Sequence, residues 1–317
     1  MENILHSGIF QNNDLLIVIA LIFGILTFAT LLFFIIGKIK PNANLKELKA
    51  RTKSWWVMAS VFIAATIFNT KISYVAIAFL SFVAFRELYS ILGFRESDRR
   101  AIFWAFLSIP IQYYLAYIGW YGAFIIFIPV EMFLLLPLRL VLKGDTAGIT
   151  KSMGVMHWTL MLTVFGISHM AYLLSLPELK GFHAGGRGLL LFLVFLTEIN
   201  DVMQFTWGKL LGKRKIIPKV SPNKTWEGFI GGMICTTGIG YLLAFLTPLS
   251  TGQVLFVSFM VAFAGFTGDV VMSSVKRDIG VKDTGSIIPG HGGILDRIDS
   301  LAYTAPVFFH LVYFMAY

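Results

Sequence analysis

Cysteine and charge are both scarce in this sequence. Among 317 residues there is one cysteine, Cys235, so no intrachain disulfide and no cysteine cluster for a metal can form. Only 14% of the residues are charged while 57% are hydrophobic, which excludes an ordinary soluble domain. Acidic residues are the scarcer sign, 17 against 26 Lys and Arg, leaving a formal net charge of +9. The first residues, Met1 to Ile4, lack the basic stretch of a cleaved signal peptide, and the first apolar run is too long for one, so a retained helix is expected. No internal repeat, low-complexity tract or appended soluble domain is present.

What is there is a series of long apolar runs and a mean hydropathy of +0.77. The runs approach or exceed the roughly 20 residues a helix needs to cross a bilayer, whereas a barrel would alternate in short strands. The expected fold class is therefore an all-α integral membrane protein, a polytopic bundle of about ten helices. The spans are read at 15–36, 54–69, 72–92, 101–118, 120–142, 152–174, 188–200, 226–246, 253–275 and 298–315. One membrane domain, 1–317, is expected, with N-terminal helices in 1–150 and the catalytic half in 188–317. With the N-terminus outside, 23 of the 26 basic residues fall on the cytoplasmic side, leaving only Lys71, Lys180 and Arg187 elsewhere. Such a basic inner face suits anionic lipid headgroups and nucleotide phosphates rather than nucleic acid. In a bacterium the membrane would be the inner one.

Polar residues crowd two inner loops of the C-terminal half. In the second, Asp269, Ser273, Lys276 and Arg277 stand at i, i+4, i+7 and i+8, placing a carboxylate, a hydroxyl and two cations along one helical face. Gly290-His291-Gly292-Gly293 permits a nest of backbone N–H groups suited to phosphate. Asp296 and Asp299 then lie three apart at the start of the last helix, with Arg297 between them to hold a phosphate or a carboxylate bidentately. Carboxylates so few in number suit Mg²⁺, which keeps waters and takes substrate phosphates as ligands. The first loop holds Asp201, then Lys209, Lys213, Arg214, Lys215 and Lys219, then Ser221-Pro222-Asn223-Lys224-Thr225-Trp226-Glu227-Gly228. Ser221 reads as an N-cap with Pro222 at the first helical position, which would aim free N–H groups and Lys224 at the site.

The pattern from Ser273 through Val275-Lys276-Arg277, Lys282-Asp283, Gly285, Ile288-Pro289, His291-Gly292-Gly293-Ile294 and Asp296-Arg297-Ile298-Asp299 resembles the signature of the phosphatidate cytidylyltransferase family. Ser221-Pro222-x-Lys224-Thr225-Trp226-Glu227-Gly228 is similar to that family's second motif. The resemblance, looser elsewhere, covers about residues 50 to 317. It implies CTP as substrate, Mg²⁺ with a second monovalent cation in some members, a lipid phosphate acceptor and commonly a homodimer. It also implies roles. Catalysis would rest on Lys224, Lys276, Arg277, His291, Asp296 and Arg297. Nucleotide and phosphate would meet Ser221, Lys224, Ser273, Lys276, Lys282, Gly292, Gly293 and Arg297. Metal would be held by Asp269 and Asp296, with Asp201, Asp283 and Asp299 as further candidates. One segment departs from the pattern: other members read Asp-Thr/Ser-Gly-Ala-Tyr-Phe where this chain has Asp201-Val202-Met203-Gln204-Phe205-Thr206. That marks a divergent branch, and Gln204 and its neighbours are expected to tune the choice of acceptor.

The reaction so implied is attack by phosphatidate on the α-phosphorus of CTP at the cytoplasmic face, giving CDP-diacylglycerol and pyrophosphate. A CTP-dependent polyprenol or dolichol kinase is the nearest alternative and would release CDP instead. A transporter is the alternative from another class, with Glu131, Arg139 and Glu198 as intramembrane residues. The gathering of ionisable groups at inner helix ends of one half argues against it.

Overall fold

The computed structural model describes residues 13–39, 46–67, 69–285 and 292–317. Among the described residues ten long helices follow one another: α1 (Asn13–Ile39), α2 (Lys46–Ile67), α3 (Thr70–Ile91), α4 (Arg99–Tyr117), α5 (Tyr121–Val141), α6 (Ile149–Ser175), α7 (Gly185–Leu210), α8 (Trp226–Leu242), α9 (Thr251–Asp278) and α10 (Leu295–Ala316). Among the described residues the only sheet is a short hairpin of β1 (Lys215–Ile217) and β2 (Ser221–Thr225), between α7 and α8. The chain is thus an all-α polytopic membrane protein. Seven helices, α1, α3, α5, α6, α7, α9 and α10, are long and apolar enough to cross a membrane. The other three expected spans are helical too, but α8 is only 17 residues long and α2 and α4 open on charged residues.

The apolar pattern explains where each helix sits. In α1 only Leu15 and Val18 are buried, and Phe28, Leu31 and Phe34 face outward, as a lipid-facing helix requires. Trp56 of α2 stacks on Phe23 of α1 and donates its indole N–H to Thr30 Oγ1 at 3.1 Å. By contrast α6 is enclosed, with Thr163, Ser168 and His169 fully buried. Both α5 and α6 widen into π-helical turns, at Phe127–Met132 and Met161–Gly166.

Small residues bring the C-terminal helices close. A β-carbon on Gly268 of α9 would lie 2.8 Å from the carbonyl oxygen of Asp299, so glycine there lets α9 and α10 meet beside Asp269 and Asp299. One on Gly232 of α8 would lie 2.4 Å from Gln204 Cγ.

Two local expectations are corrected. Helix α7 does not end at residue 200 but runs on to Leu210, its apolar periodicity outlasting the single charge at Asp201. Nor does Ser221 cap α8: it lies in β2, and Thr225 is the N-cap, its Oγ1 accepting the Gly228 N–H at 3.1 Å. Strand pairing supersedes the Ser-Pro helix start because β1 and β2 satisfy each other's backbone, while Glu227 accepts the N–H groups of Lys213 and Arg214. Lys224 therefore projects from a strand.

Candidate active site

Charged groups from α7, β2, α9 and α10 converge at one end of the bundle. Lys224 Nζ lies 2.6 Å from Asp269 Oδ2 and 4.7 Å from the centroid of the Phe266 ring. One turn along α9, Ser273 donates its hydroxyl to Asp269 Oδ1 at 3.2 Å. A further turn on, Lys276 Nζ lies 2.9 Å from Asp296 Oδ1 and 3.8 Å from Asp299 Oδ2. The spacing Asp269, Ser273, Lys276 thus produces the single face that helical periodicity requires. From α7, Asp201 Oδ2 accepts the Ser300 hydroxyl at 3.1 Å, and the Ser300 N–H donates to Asp299 Oδ1 at 2.9 Å. Asp201, Asp269 and Asp299 interact electrostatically with one another, with Lys224 and Lys276 as counter-charges.

Asp296 is the most heavily bonded of these carboxylates. Its Oδ2 accepts the backbone N–H of Thr284 at 2.8 Å and of Gly293 at 2.9 Å, while Oδ1 takes Lys276. It ties the signature loop to the start of α10. Glu87 of α3 completes the tie: Oε1 accepts the Ile294 N–H at 3.0 Å and Oε2 the Leu295 N–H at 2.8 Å, with the Thr284 hydroxyl at 3.5 Å. The side chain fits because Gly293 has none, a β-carbon there falling 2.5 Å from Glu87 Oε2. The free phosphate nest expected at Gly292 and Gly293 is therefore corrected in part. The Gly293 N–H is already committed to a carboxylate, and so are the next two amides of the α10 N-terminus.

Other expected residues take different places. Arg277 turns away from the cluster and donates to the carbonyls of Val220 and Val281, at 3.3 and 3.4 Å, holding the hairpin against the end of α9. Lys282 and Asp283 are exposed, the Asp283 Cβ lying 3.1 Å from the position of a β-carbon on Gly292. Ser221 pairs with Ile217 in the hairpin. His291 lies outside the described residues. Arg297 is half-buried, and its Nε is buried with no hydrogen-bond partner in the protein. Its charge is felt by Glu198 and Asp299, and the unpartnered Nε leaves one N–H donor unused within the protein.

Sequence reasoning missed Glu87, Thr284 and Ser300. Glu87 carried a visible signal, an acid inside the apolar run Ile77 to Tyr89. Gln204, expected with its neighbours to tune the choice of acceptor, packs on α8, and so does Trp207. Gln204 lies against Gly232, and Trp207 lies against Gly231 and donates its N–H to Cys235 Sγ at 3.1 Å.

A divalent cation can be tested against this arrangement. Among the described residues no three His, Cys, Asp or Glu side chains are grouped so that they could hold a metal ion. Asp201, Asp269 and Asp299 nevertheless repel one another electrostatically, and one or two carboxylates suffice for a cation that completes its shell with waters and substrate phosphates.

The class defined so far is a helical membrane protein with an acidic and basic cluster suited to phosphate chemistry at its helix ends. The model of the cytidylyltransferase family matches residues 49–315, and the chain belongs to that family. It is 40% identical over 304 residues to the uncharacterized protein YnbB of Escherichia coli K12, covering 94% of this chain and 98% of that one. It is 38% identical over 146 residues to a phosphatidate cytidylyltransferase of Mycobacterium leprae, covering 46% of this chain and 47% of the relative. A phosphatidate cytidylyltransferase of Staphylococcus haemolyticus is 41% identical over 124 residues, 38% of this chain and 48% of the relative. Against both of those enzymes the match spans about half of the relative's length.

Proposed function

We propose that this chain transfers the cytidylyl group of CTP to phosphatidate at the cytoplasmic membrane face, releasing pyrophosphate and forming CDP-diacylglycerol. The observation that carries the reading is Arg297, whose buried Nε has no hydrogen-bond partner in the protein, next in the chain to Asp296 and two residues before Asp299, the carboxylates that Lys276 meets. Lys224, Lys276 and Arg297 supply three cations for two polyanionic substrates. A phosphatidate oxygen attacks the α-phosphorus of CTP, the new P–O bond forms as the bond to the β-phosphate breaks, and pyrophosphate leaves in line. No general base is needed, since a phosphate monoester is already ionised near neutral pH. What the residues must do is hold two anions together and neutralise the charge that develops on the leaving group.

Asp269 and one of its neighbours, Asp201 or Asp299, would hold Mg²⁺ together with substrate phosphates, with Asp296 anchoring the loop. Bound there, the ion would supply charge neutralisation between nucleotide and acceptor phosphates. Lys224 reaches the cluster from the hairpin, partly exposed, so it can exchange Asp269 for a nucleotide phosphate without unfolding anything. The cluster's place at helix ends lets a lipid arrive laterally and a nucleotide from water.

The test is pyrophosphate release by purified protein in mixed micelles with CTP and Mg²⁺. Release should require phosphatidate, and diacylglycerol or a polyprenol should not replace it. Release with an alcohol acceptor alone would defeat the proposal.

A further inference from the structure

We propose that the adjoining ends of α4 and α5 form a second anion site, separate from the catalytic cluster, that holds the phosphate of an anionic lipid headgroup. Arg99 and Arg100 at the start of α4 and Arg139 in the last turn of α5 surround a cavity of about 400 Å³, with Phe103 and Trp104 as its remaining walls.

Three cations around one cavity repel one another, so a protein that gathers them needs a counter-charge. Within the chain there is little. Among the described residues neither Arg100 nor Arg139 makes an ion pair; Glu131, two turns before Arg139, does not reach it. Arg99 meets Glu96 only at 3.4 Å, with both side chains more than three-quarters exposed, a pair that water and salt largely screen. Arg139 instead lies 5.4 Å from the centroid of the Trp104 ring, and its Nε is buried with no hydrogen-bond partner. A guanidinium resting on an aromatic face keeps its edge free, and that edge is the fork that binds a phosphate with two parallel N–H donors.

The surroundings select the kind of anion. The start of α4 is the positive end of a 19-residue helix, and Asp98 does not cap it, because its carboxylate is taken by Arg95 and Ser152. The cavity is open, and on α4 the exposed Phe103 is followed by the exposed Leu107, Ile111 and Tyr114. A ligand with a phosphate at the arginines and an apolar chain along α4 matches both parts. A free phosphate would use the first and leave the second bare.

The experiment is native mass spectrometry of the purified full-length protein in detergent, titrated with dioleoylphosphatidylglycerol. Dioleoylphosphatidylcholine and inorganic phosphate serve as comparison ligands. Three double variants are compared with the wild type: Arg99→Gln/Arg139→Gln, Arg99→Gln/Arg100→Gln, and the charge-matched Lys143→Gln/Lys151→Gln, whose residues are exposed, one just after α5 and the other in the first turn of α6. Phosphatidylglycerol should be retained by the wild type and by the lysine pair. Its affinity should fall about tenfold or more in both arginine pairs, the loss expected for a charge-assisted bidentate contact. Both residues of the Arg99/Arg100 pair are exposed, so this variant should keep the wild-type thermal unfolding midpoint, which separates loss of binding from loss of fold. Equal loss in the lysine and arginine pairs would reduce the effect to net charge and overturn the proposal, as would no loss in any. Displacement of the lipid by inorganic phosphate, or equal retention of phosphatidylcholine, would overturn the assignment to an anionic lipid.

Discussion

Glu87 Oε2 accepts the backbone N–H of Leu295 at 2.8 Å, joining the third helix to the first residue of the last across 208 positions. The same carboxylate accepts the Ile294 N–H, so one buried side chain from the N-terminal part of the protein holds the entrance to α10. Glu87→Ala would strand two amides and the Thr284 hydroxyl, and should lower stability by about 2–4 kcal/mol. Glu87→Gln, which keeps one acceptor, should lose less than half of that. Thermal unfolding in detergent reads both, and equal losses in the two variants would contradict the capping role.

Lys224 should separate activity from stability. Its pair with Asp269 is only partly buried, so Lys224→Met should cost under about 1 kcal/mol. Turnover should nevertheless fall by about 100-fold or more, because a cation aimed at developing phosphate charge is lost. A variant that unfolds, or that keeps wild-type turnover, would remove Lys224 from the chemistry.

Asp269 and Asp296 should fail in different ways. Asp269→Asn should raise the Mg²⁺ concentration needed for half-maximal activity by about tenfold, since a full charge beside Asp201 and Asp299 is gone. Asp296→Asn should instead destabilise the protein by about 2–3 kcal/mol, because its carboxylate satisfies two backbone amides and Lys276. The reverse pattern, with Asp296 governing Mg²⁺ demand and Asp269 governing stability, would exchange their roles.

Gln204 tests the divergent segment. Its amide nitrogen is buried without a partner and its stem packs on Gly232. Gln204→Leu should therefore leave stability unchanged or raise it by about 1 kcal/mol, with no change in the relative use of lipid acceptors. Gly232→Val should cost about 1–3 kcal/mol by overpacking the same contact. A changed acceptor preference in Gln204→Leu would return that residue to the site.

The polar face of α9 was legible because it lies on one helix: Asp269, Ser273 and Lys276 need only the 3.6-residue period to align, and they do. The helices themselves followed from apolar run length alone. Contacts that join distant elements were not legible. Glu87 announced itself as an acid in an apolar run, but its partners are backbone N–H groups, which carry no sequence signature. The hairpin was hidden for a related reason. Ser221-Pro222 is a fair helix start in isolation, and only pairing with Lys215–Ile217 made it a strand and passed the cap to Thr225. Arg277 stood in the right helical row, yet its length let it reach the Val220 and Val281 carbonyls instead of the cluster.

The most direct measurement follows the fate of two labels on CTP, one at the α-phosphorus and one at the γ-phosphorus, with purified protein, Mg²⁺ and phosphatidate vesicles. Cytidylyl transfer requires the α-label to enter the lipid fraction and the γ-label to leave as pyrophosphate, one for one and only when phosphatidate is present. Recovery of the γ-label in lipid with the α-label left in CDP, or no dependence on phosphatidate, would contradict it.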